Sequence, residues 1–115
     1  MDKRQHKRVT LKHKGWHAEL IDQVSGNTLG EIVNLSPGGL MLITPKEVEI
    51  ESLYQVECVT HGPGGKGGRF TAGVVALWTS EASQPDTYWA GFQIIDIDAE
   101  SRAQLMAHRK AMVDG

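Results

Sequence analysis

Turn-forming residues recur at short intervals along the chain and divide it into segments of strand length. Ser25-Gly26-Asn27, Pro37-Gly38-Gly39 and the glycine-rich segment 61–68 each separate two runs of alternating or β-branched residues. Gly, Pro, Asn and Ser favour tight turns, and short strands separated by such turns are typical of small antiparallel barrels. The pattern therefore predicts an all-β fold, a small antiparallel β-barrel followed by one C-terminal helix.

Hydrophobic periodicity places the individual elements. Alternation in the second strand directs Trp16, Ala18 and Leu20 towards the core, and the same rule directs Val33 and Leu35 inwards while Asn34 and Ser36 share the outer face. The acidic stretch 47–51 is either an edge strand or a surface loop. The predicted strands cover residues 9–11, 16–22, 29–36, 40–44, 53–60, 69–79 and 88–96.

The C-terminal segment has the signals of a helix start. Asp98 is a predicted N-cap, with Glu100 in the first turn of a helix over residues 99–113. This helix has a modest apolar side, with which it packs over the barrel or against a second copy of the chain. The residues on that side are Leu105, Met106, Met112 and Val113.

Length and composition indicate one globular domain. The chain has 115 residues, of which 40% are hydrophobic and 23% charged, enough for a single core without a metal or disulfide. It contains neither an apolar run of membrane-spanning length nor a secretory leader, so we expect a cytoplasmic protein without membrane insertion. Cys58 is the only cysteine; it alternates with apolar residues and is predicted to lie in the core.

The N-terminus is strongly basic. Residues 1–14 hold six of the twelve Lys and Arg residues with only Asp2 opposing them, whereas the remaining chain has six basic and thirteen acidic residues. Such asymmetry indicates an anionic partner for this segment, and the alternative is a solvated tail. A nucleic-acid-binding barrel that uses this arm is the less favoured alternative. The arm lacks interleaved aromatic residues and the acidic remainder would repel a nucleic-acid backbone, so no nucleic-acid partner is expected.

Two short motifs have complementary chemistry. Arg4 and Arg8 are four residues apart, and their planar guanidinium groups suit phosphates and the O6/N7 edge of guanine. Asn34 and Ser36 offer an amide and a hydroxyl, and the glycines after Pro37 leave backbone open to a ligand. The two motifs together indicate a site for a guanine nucleotide.

This pairing, Arg4-x-x-x-Arg8 followed by Asn34-x-Ser36-x-x-Gly39, resembles the signature of the PilZ domain, the bacterial receptor module for the second messenger cyclic di-GMP. Segments 74–78 and 89–94 resemble later strands of that family. The resemblance implies that residues 9–115 form one domain, a six-stranded barrel with a C-terminal helix. It also implies a flexible basic arm, residues 1–8, that folds over the ligand. It implies ligand-binding roles for Arg4, Arg8, Asn34, Ser36 and Gly39, with Lys3, Gly38 and Trp78 as further candidates.

The resemblance also implies the kind of output. Such a protein is a receptor or adaptor, monomeric or homodimeric, that needs no cofactor and acts on an unidentified effector protein in motility, pili or exopolysaccharide machinery. An alternative is an interaction module of the same fold that does not bind the messenger. We expect neither a metal site nor an enzyme, because the histidines and Cys58 lack the spacing of a zinc site and no catalytic triad can be assigned.

Overall fold

Seven antiparallel strands and one C-terminal helix make up the described part of the chain. The computed structural model describes residues 9–10, 15–65 and 67–114, with side chains for residues 15–65 and 67–110. The strands are β1 (Val9–Thr10), β2 (His17–Asp22), β3 (Thr28–Ser36), β4 (Gly39–Thr44), β5 (Leu53–His61), β6 (Gly67–Glu81) and β7 (Tyr88–Asp96), and helix α1 spans Ala99–Asp114.

The six longer strands close into a barrel. Neighbouring strands follow the order β3-β2-β5-β6-β7-β4, and β4 pairs back onto β3 to complete the ring. The short strand β1 also pairs with β3, through Val9↔Leu35 and Thr10↔Asn34, whereas β2 pairs with the first part of β3, up to Glu31. The predicted antiparallel barrel with a C-terminal helix is therefore confirmed.

Inward-facing side chains fill the barrel. Leu35, Leu40, Phe92 and Ala76 are successive cross-strand partners on β3, β4, β7 and β6, and all four are buried. The inward direction predicted for Trp16, Ala18 and Leu20 is also confirmed, because each is at most 5% exposed. Cys58 is fully buried, as predicted, and this burial, with the neighbouring Glu57 charge as a smaller cause, raises its pKa to about 12.

Helix α1 begins at the predicted cap and packs mainly against β6. The Ser101 backbone N–H donates to Asp98 Oδ1 at 2.7 Å, which satisfies one of the unpaired amides of the first turn. Leu105 is fully buried in the core, whereas Met106 is 43% exposed. The predicted apolar side is thus confirmed for Leu105 and wrong for Met106, and the side chains of residues 112 and 113 lie outside the described set.

Long-range pairing changes three details of the predicted strands. Val33 does not join Leu35 in the core, because the register with β4 shifts between Ile32 and Asn34 and makes Val33 the extra residue of a β-bulge. Residues 47–51 form a loop and turn, not an edge strand. The β5–β6 hairpin extends further than predicted, to His61 and from Gly67, around a short 3-10 turn at Pro63–Gly65.

Candidate functional site

The Asn-x-Ser-x-x-Gly motif lies at the tight turn between β3 and β4. Ser36 and Gly39 are cross-strand partners, and Pro37 and Gly38 form the connection between them. The Ser36 hydroxyl donates to the Gly39 carbonyl oxygen at 3.2 Å. This hydrogen bond orients the hydroxyl at the turn, and the Ser36 oxygen keeps acceptor capacity for a ligand donor.

The two glycines of the motif have different surroundings. A Cβ on Gly39 would lie 2.5 Å from the Phe92 carbonyl oxygen, so glycine is required there by the close approach of β4 and β7. Gly38 has no neighbour within 4 Å of such a Cβ, and its carbonyl accepts the Ile94 N–H at 2.9 Å. Gly38 therefore leaves open space at the tip of the motif, while Gly39 is needed for packing.

Asn34 belongs to a row of partners that crosses the outside of the barrel. Successive pairings join Thr10 on β1 to Asn34 on β3, Met41 on β4, Gly91 on β7 and Trp78 on β6. Asn34 Nδ2 donates to Met41 Sδ at 3.4 Å, a weak bond because a thioether is a poor acceptor. The row places the amide, a methionine and a tryptophan on one outward surface, which we call the motif face.

Trp78 closes the far end of the motif face. Its indole ring lies over Gly91, where a Cβ would overlap the ring, and the residue remains 38% exposed. Three strand spacings separate Trp78 from Asn34, about 14 Å along the sheet. Sequence patterns singled out Trp78, but they missed Met41, because its place between the two depends on the pairing of β4 with β3 and β7.

Among the residues that the structure describes, the strands beside Asn34 contribute no lysine or arginine to the motif face. Segments 15–45 and 70–101 contain neither Lys nor Arg, so no positive charge comes from β2, β3, β4 or β7. Lys3, Arg4 and Arg8 lie outside the described residues, and their predicted roles remain predictions. The described strand closest to them in sequence is β1, which pairs with the motif strand at Leu35 and Asn34.

A second surface feature differs in charge from the motif face. A groove of about 590 Å³ runs over β2, β3 and β4, and its lining includes Glu19, Glu31 and His17. His17 Nδ1 lies 2.9 Å from Glu31 Oε2. Glu19 and Glu31 place acidic side chains in this groove, whereas the motif face presents an amide and a hydroxyl.

Among the described residues, no three His, Cys, Asp or Glu side chains are grouped in a way that would hold a metal ion. No helix in the described ranges is long and apolar enough to cross a membrane.

Comparisons with known proteins were made by sequence and by fold. The sequence model of the PilZ domain matches residues 2–110. A search of curated proteins found no match.

Solved structures share the barrel and its helix. The PilZ domain of YcgR from Escherichia coli, solved with c-di-GMP, has a TM-score of 0.71 at 15% identity, covering 98% of this chain and 93% of that chain. The K. pneumonia MrkH–c-di-GMP complex has a TM-score of 0.71 at 14% identity, and the match covers 98% of this chain and 53% of that chain. The Bacillus subtilis inhibitor of motility MotI/DgrA has a TM-score of 0.66 at 13% identity, and the match covers 99% of this chain and 53% of that chain. This chain thus spans about half of the last two proteins, and at these identities the likeness shows the fold alone.

Proposed function

This chain belongs to the PilZ domain family, and on that premise we propose that it is a receptor for cyclic di-GMP. The messenger would bind on the motif face, between the end of β3 that carries Asn34 and Ser36 and the Trp78 ring. The arm, residues 1–8, would supply the arginines. The chain would then act as a receptor that passes the signal to another protein, and not as an enzyme.

The distribution of charge is the observation that carries this proposal. Cyclic di-GMP has two phosphates, and a site for it needs positive charge. The barrel around Asn34 supplies none, since segments 15–45 and 70–101 lack Lys and Arg, whereas residues 1–14 contain six such residues. The hydrogen-bonding groups and the charges therefore come from separate parts of the chain, and binding would bring them together.

The position of β1 supports a site in which the barrel supplies hydrogen-bonding groups and the arm supplies positive charge. Val9 and Thr10 are the partners of Leu35 and Asn34, so the chain enters the barrel directly beside the motif. Arg8 precedes Val9 by one residue. Arg4 precedes it by five, which a chain spans in at most about 18 Å. Both guanidinium groups are thus tethered within reach of a ligand on the motif face.

The motif face offers the remaining contacts of a purine nucleotide. The Asn34 amide has both a donor and an acceptor for a guanine edge. The exposed part of the Trp78 ring offers a surface on which a base can stack, a contact of about 1–3 kcal/mol. The solved PilZ domain of YcgR and the MrkH complex, which share the fold, are described as c-di-GMP complexes.

The output would be a change of surface rather than a reaction. Ordering of the arm over the motif face would cover groups that are exposed without the messenger and present the arm to an effector protein. Motility, pili or exopolysaccharide machinery are the candidate outputs. The receptor would act as a monomer or as a homodimer. From the sequence, a cytoplasmic location is expected.

Calorimetric titration with cyclic di-GMP tests the proposal, with GTP as the comparison ligand. We expect saturable binding that Arg8→Ala weakens at least about tenfold, because hydrogen bonds to charged groups contribute about 1.5–3 kcal/mol. Arg102→Ala, an exposed arginine on α1, is the matched control and should bind as the wild type does. Absence of both binding heat and thermal stabilisation at high messenger concentration would reject the receptor and favour a messenger-independent interaction module.

A further inference from the structure

Exposed apolar side chains lie together on the outside of β5, β6 and β7. Leu53 is 70% exposed, Ile95 53% and Leu77 50%, and Ile50, in the turn before β5, is 51% exposed. These four residues and the half-buried Val75 form what we call the apolar face. It shares no residue with the motif face.

Strand register brings these residues together. Leu53 is the cross-strand partner of Val75, and Val75 is the partner of Gln93. Leu77 and Ile95 are the extra residues of two β-bulges, one on each side of the Val75–Gln93 pair. Bulges redirect side chains, and here both bulged residues are apolar and exposed.

The turn before β5 is fixed to the same surface. The Glu51 N–H donates to the Ala76 carbonyl at 2.8 Å, and the Ala76 N–H donates to the Ser52 carbonyl at 3.0 Å. Glu51 has a φ of 72°, a conformation that non-glycine residues adopt infrequently. These bonds fix Glu51 and Ser52 against Ala76 of β6, so Ile50 and Leu77 each lie one residue from this pairing.

Acidic residues border the apolar face, and the segments that form it lack lysine and arginine. Segments 47–65 and 70–101 contain no Lys or Arg, but they contain nine Asp and Glu residues. Glu49 and Glu51 flank Ile50, Asp96 follows Ile95, and all three acidic residues are exposed. A partner that covers the face must therefore match an apolar centre with positive charge around it.

We propose that the apolar face docks a basic amphipathic helix of a partner protein. Leu77 and Ile95 lie about 13 Å apart along the strands, which corresponds to between two and three helical turns. Contiguous exposed apolar surface with a polar rim is typical of interaction sites. The partner's leucine-like side chains would cover the centre, and its Lys or Arg residues would face Glu49, Glu51 and Asp96.

Charge argues against the other occupants. A symmetric dimer through this face would place the same patch on both sides and bring two acidic rims together. An anionic membrane or a nucleic acid would meet the same repulsion. All residues of the apolar face belong to the barrel itself, so this inference does not depend on cyclic di-GMP binding.

Fluorescence anisotropy with two synthetic helices tests the proposal. Each helix is a labelled peptide of roughly 14 residues with leucine at i, i+3, i+4 and i+7. One peptide has lysine at all other positions and the other has glutamate. The full chain is compared with the double variant Leu53→Ser/Leu77→Ser and with Val24→Ser, in which a residue 85% exposed in the β2–β3 turn undergoes the same apolar-to-polar change.

The expected result is saturable binding of the lysine peptide, at least about tenfold weaker for the double variant and unchanged for Val24→Ser. The glutamate peptide should not bind. Equal binding of the wild type and the double variant, or no binding of the lysine peptide, would overturn the proposal. Two further outcomes would also overturn it. A dimer that is lost in the double variant would assign the face to a second copy of the chain. Tighter peptide binding after Arg4→Gln/Lys7→Gln would assign the face to the chain's own arm.

Discussion

Thr10 and Asn34 are direct cross-strand partners, so the strand that follows the arginine pair is joined to the strand that carries the motif amide. The two halves of the sequence signature are far apart along the chain, and this pairing connects them. It gives the proposed arm a fixed origin next to the proposed site.

Asn34→Asp should bind cyclic di-GMP more tightly, by about fivefold. A carboxylate accepts charge-assisted hydrogen bonds from guanine N–H groups, which exceed neutral ones by about 1 kcal/mol. Titration calorimetry at constant ionic strength measures the change. Asn27→Asp, the same substitution at an exposed position in the β2–β3 turn, should leave the affinity unaltered. Weaker binding by Asn34→Asp would instead place a phosphate next to this side chain.

Trp78→Ala should weaken messenger binding by about 5- to 150-fold, the range that corresponds to loss of one base–aromatic stack. Trp78→Phe should retain most of the affinity because it keeps a ring. Leu77→Ala is the control, since Leu77 is exposed on the same strand but belongs to the apolar face. Equal messenger affinities of Trp78→Ala and the wild type would show that Trp78 does not contact the ligand and only packs over Gly91.

Gly39→Ala should destabilise the barrel by about 1–3 kcal/mol, the usual cost of overpacking. Its Cβ would lie 2.5 Å from the Phe92 carbonyl oxygen, and β4 and β7 would have to separate. Urea unfolding followed by circular dichroism measures the loss. Gly38→Ala has open space around the new methyl group and should unfold at the wild-type midpoint. Similar midpoints for both variants would contradict the close contact.

Stability should fall as the pH is lowered from about 7.5 to 5.5, and His108 should be one cause. Burial lowers the pKa of His108 in the folded protein, where its Nδ1 lies 3.4 Å from Thr60 Oγ1. The unfolded chain, with a histidine pKa of about 6.5, then binds the proton first. The stabilisation is complete above that pKa and is lost as the pH falls towards the folded value.

Thermal unfolding at several pH values measures this dependence. His108→Gln should flatten it, because the buried imidazole is then absent. An unchanged slope in His108→Gln would show that the imidazole does not contribute. Carboxylates titrate at lower pH, so the range above pH 5.5 isolates the histidine effect.

Local chemistry predicted much of this fold. Asp98 was identifiable as an N-cap because capping involves residues only three positions apart, and the structure shows the bond to the Ser101 amide. The alternation of Trp16, Ala18 and Leu20 similarly identified the inner side of β2. Such signals lie within a single element, and the surrounding strands reinforce them.

Features that depend on strand pairing were not predictable in the same way. Val33, Leu77 and Ile95 occupy β-bulges, and an extra residue is defined only relative to a partner strand. The same limit explains why the sequence alone does not place Met41 beside Asn34 or show that Gly39 lies against the Phe92 carbonyl. The roles of Arg4 and Arg8 rest on the sequence motif.

The position of β1 has a practical consequence for any experiment on this protein. Residues 1–8 span at most about 29 Å when fully extended, so a group attached at Met1 stays within about that distance of β1. An affinity tag or fluorescent protein at that end would crowd the proposed site and add its own charges there. Labels for binding assays therefore belong at the other terminus, beyond α1.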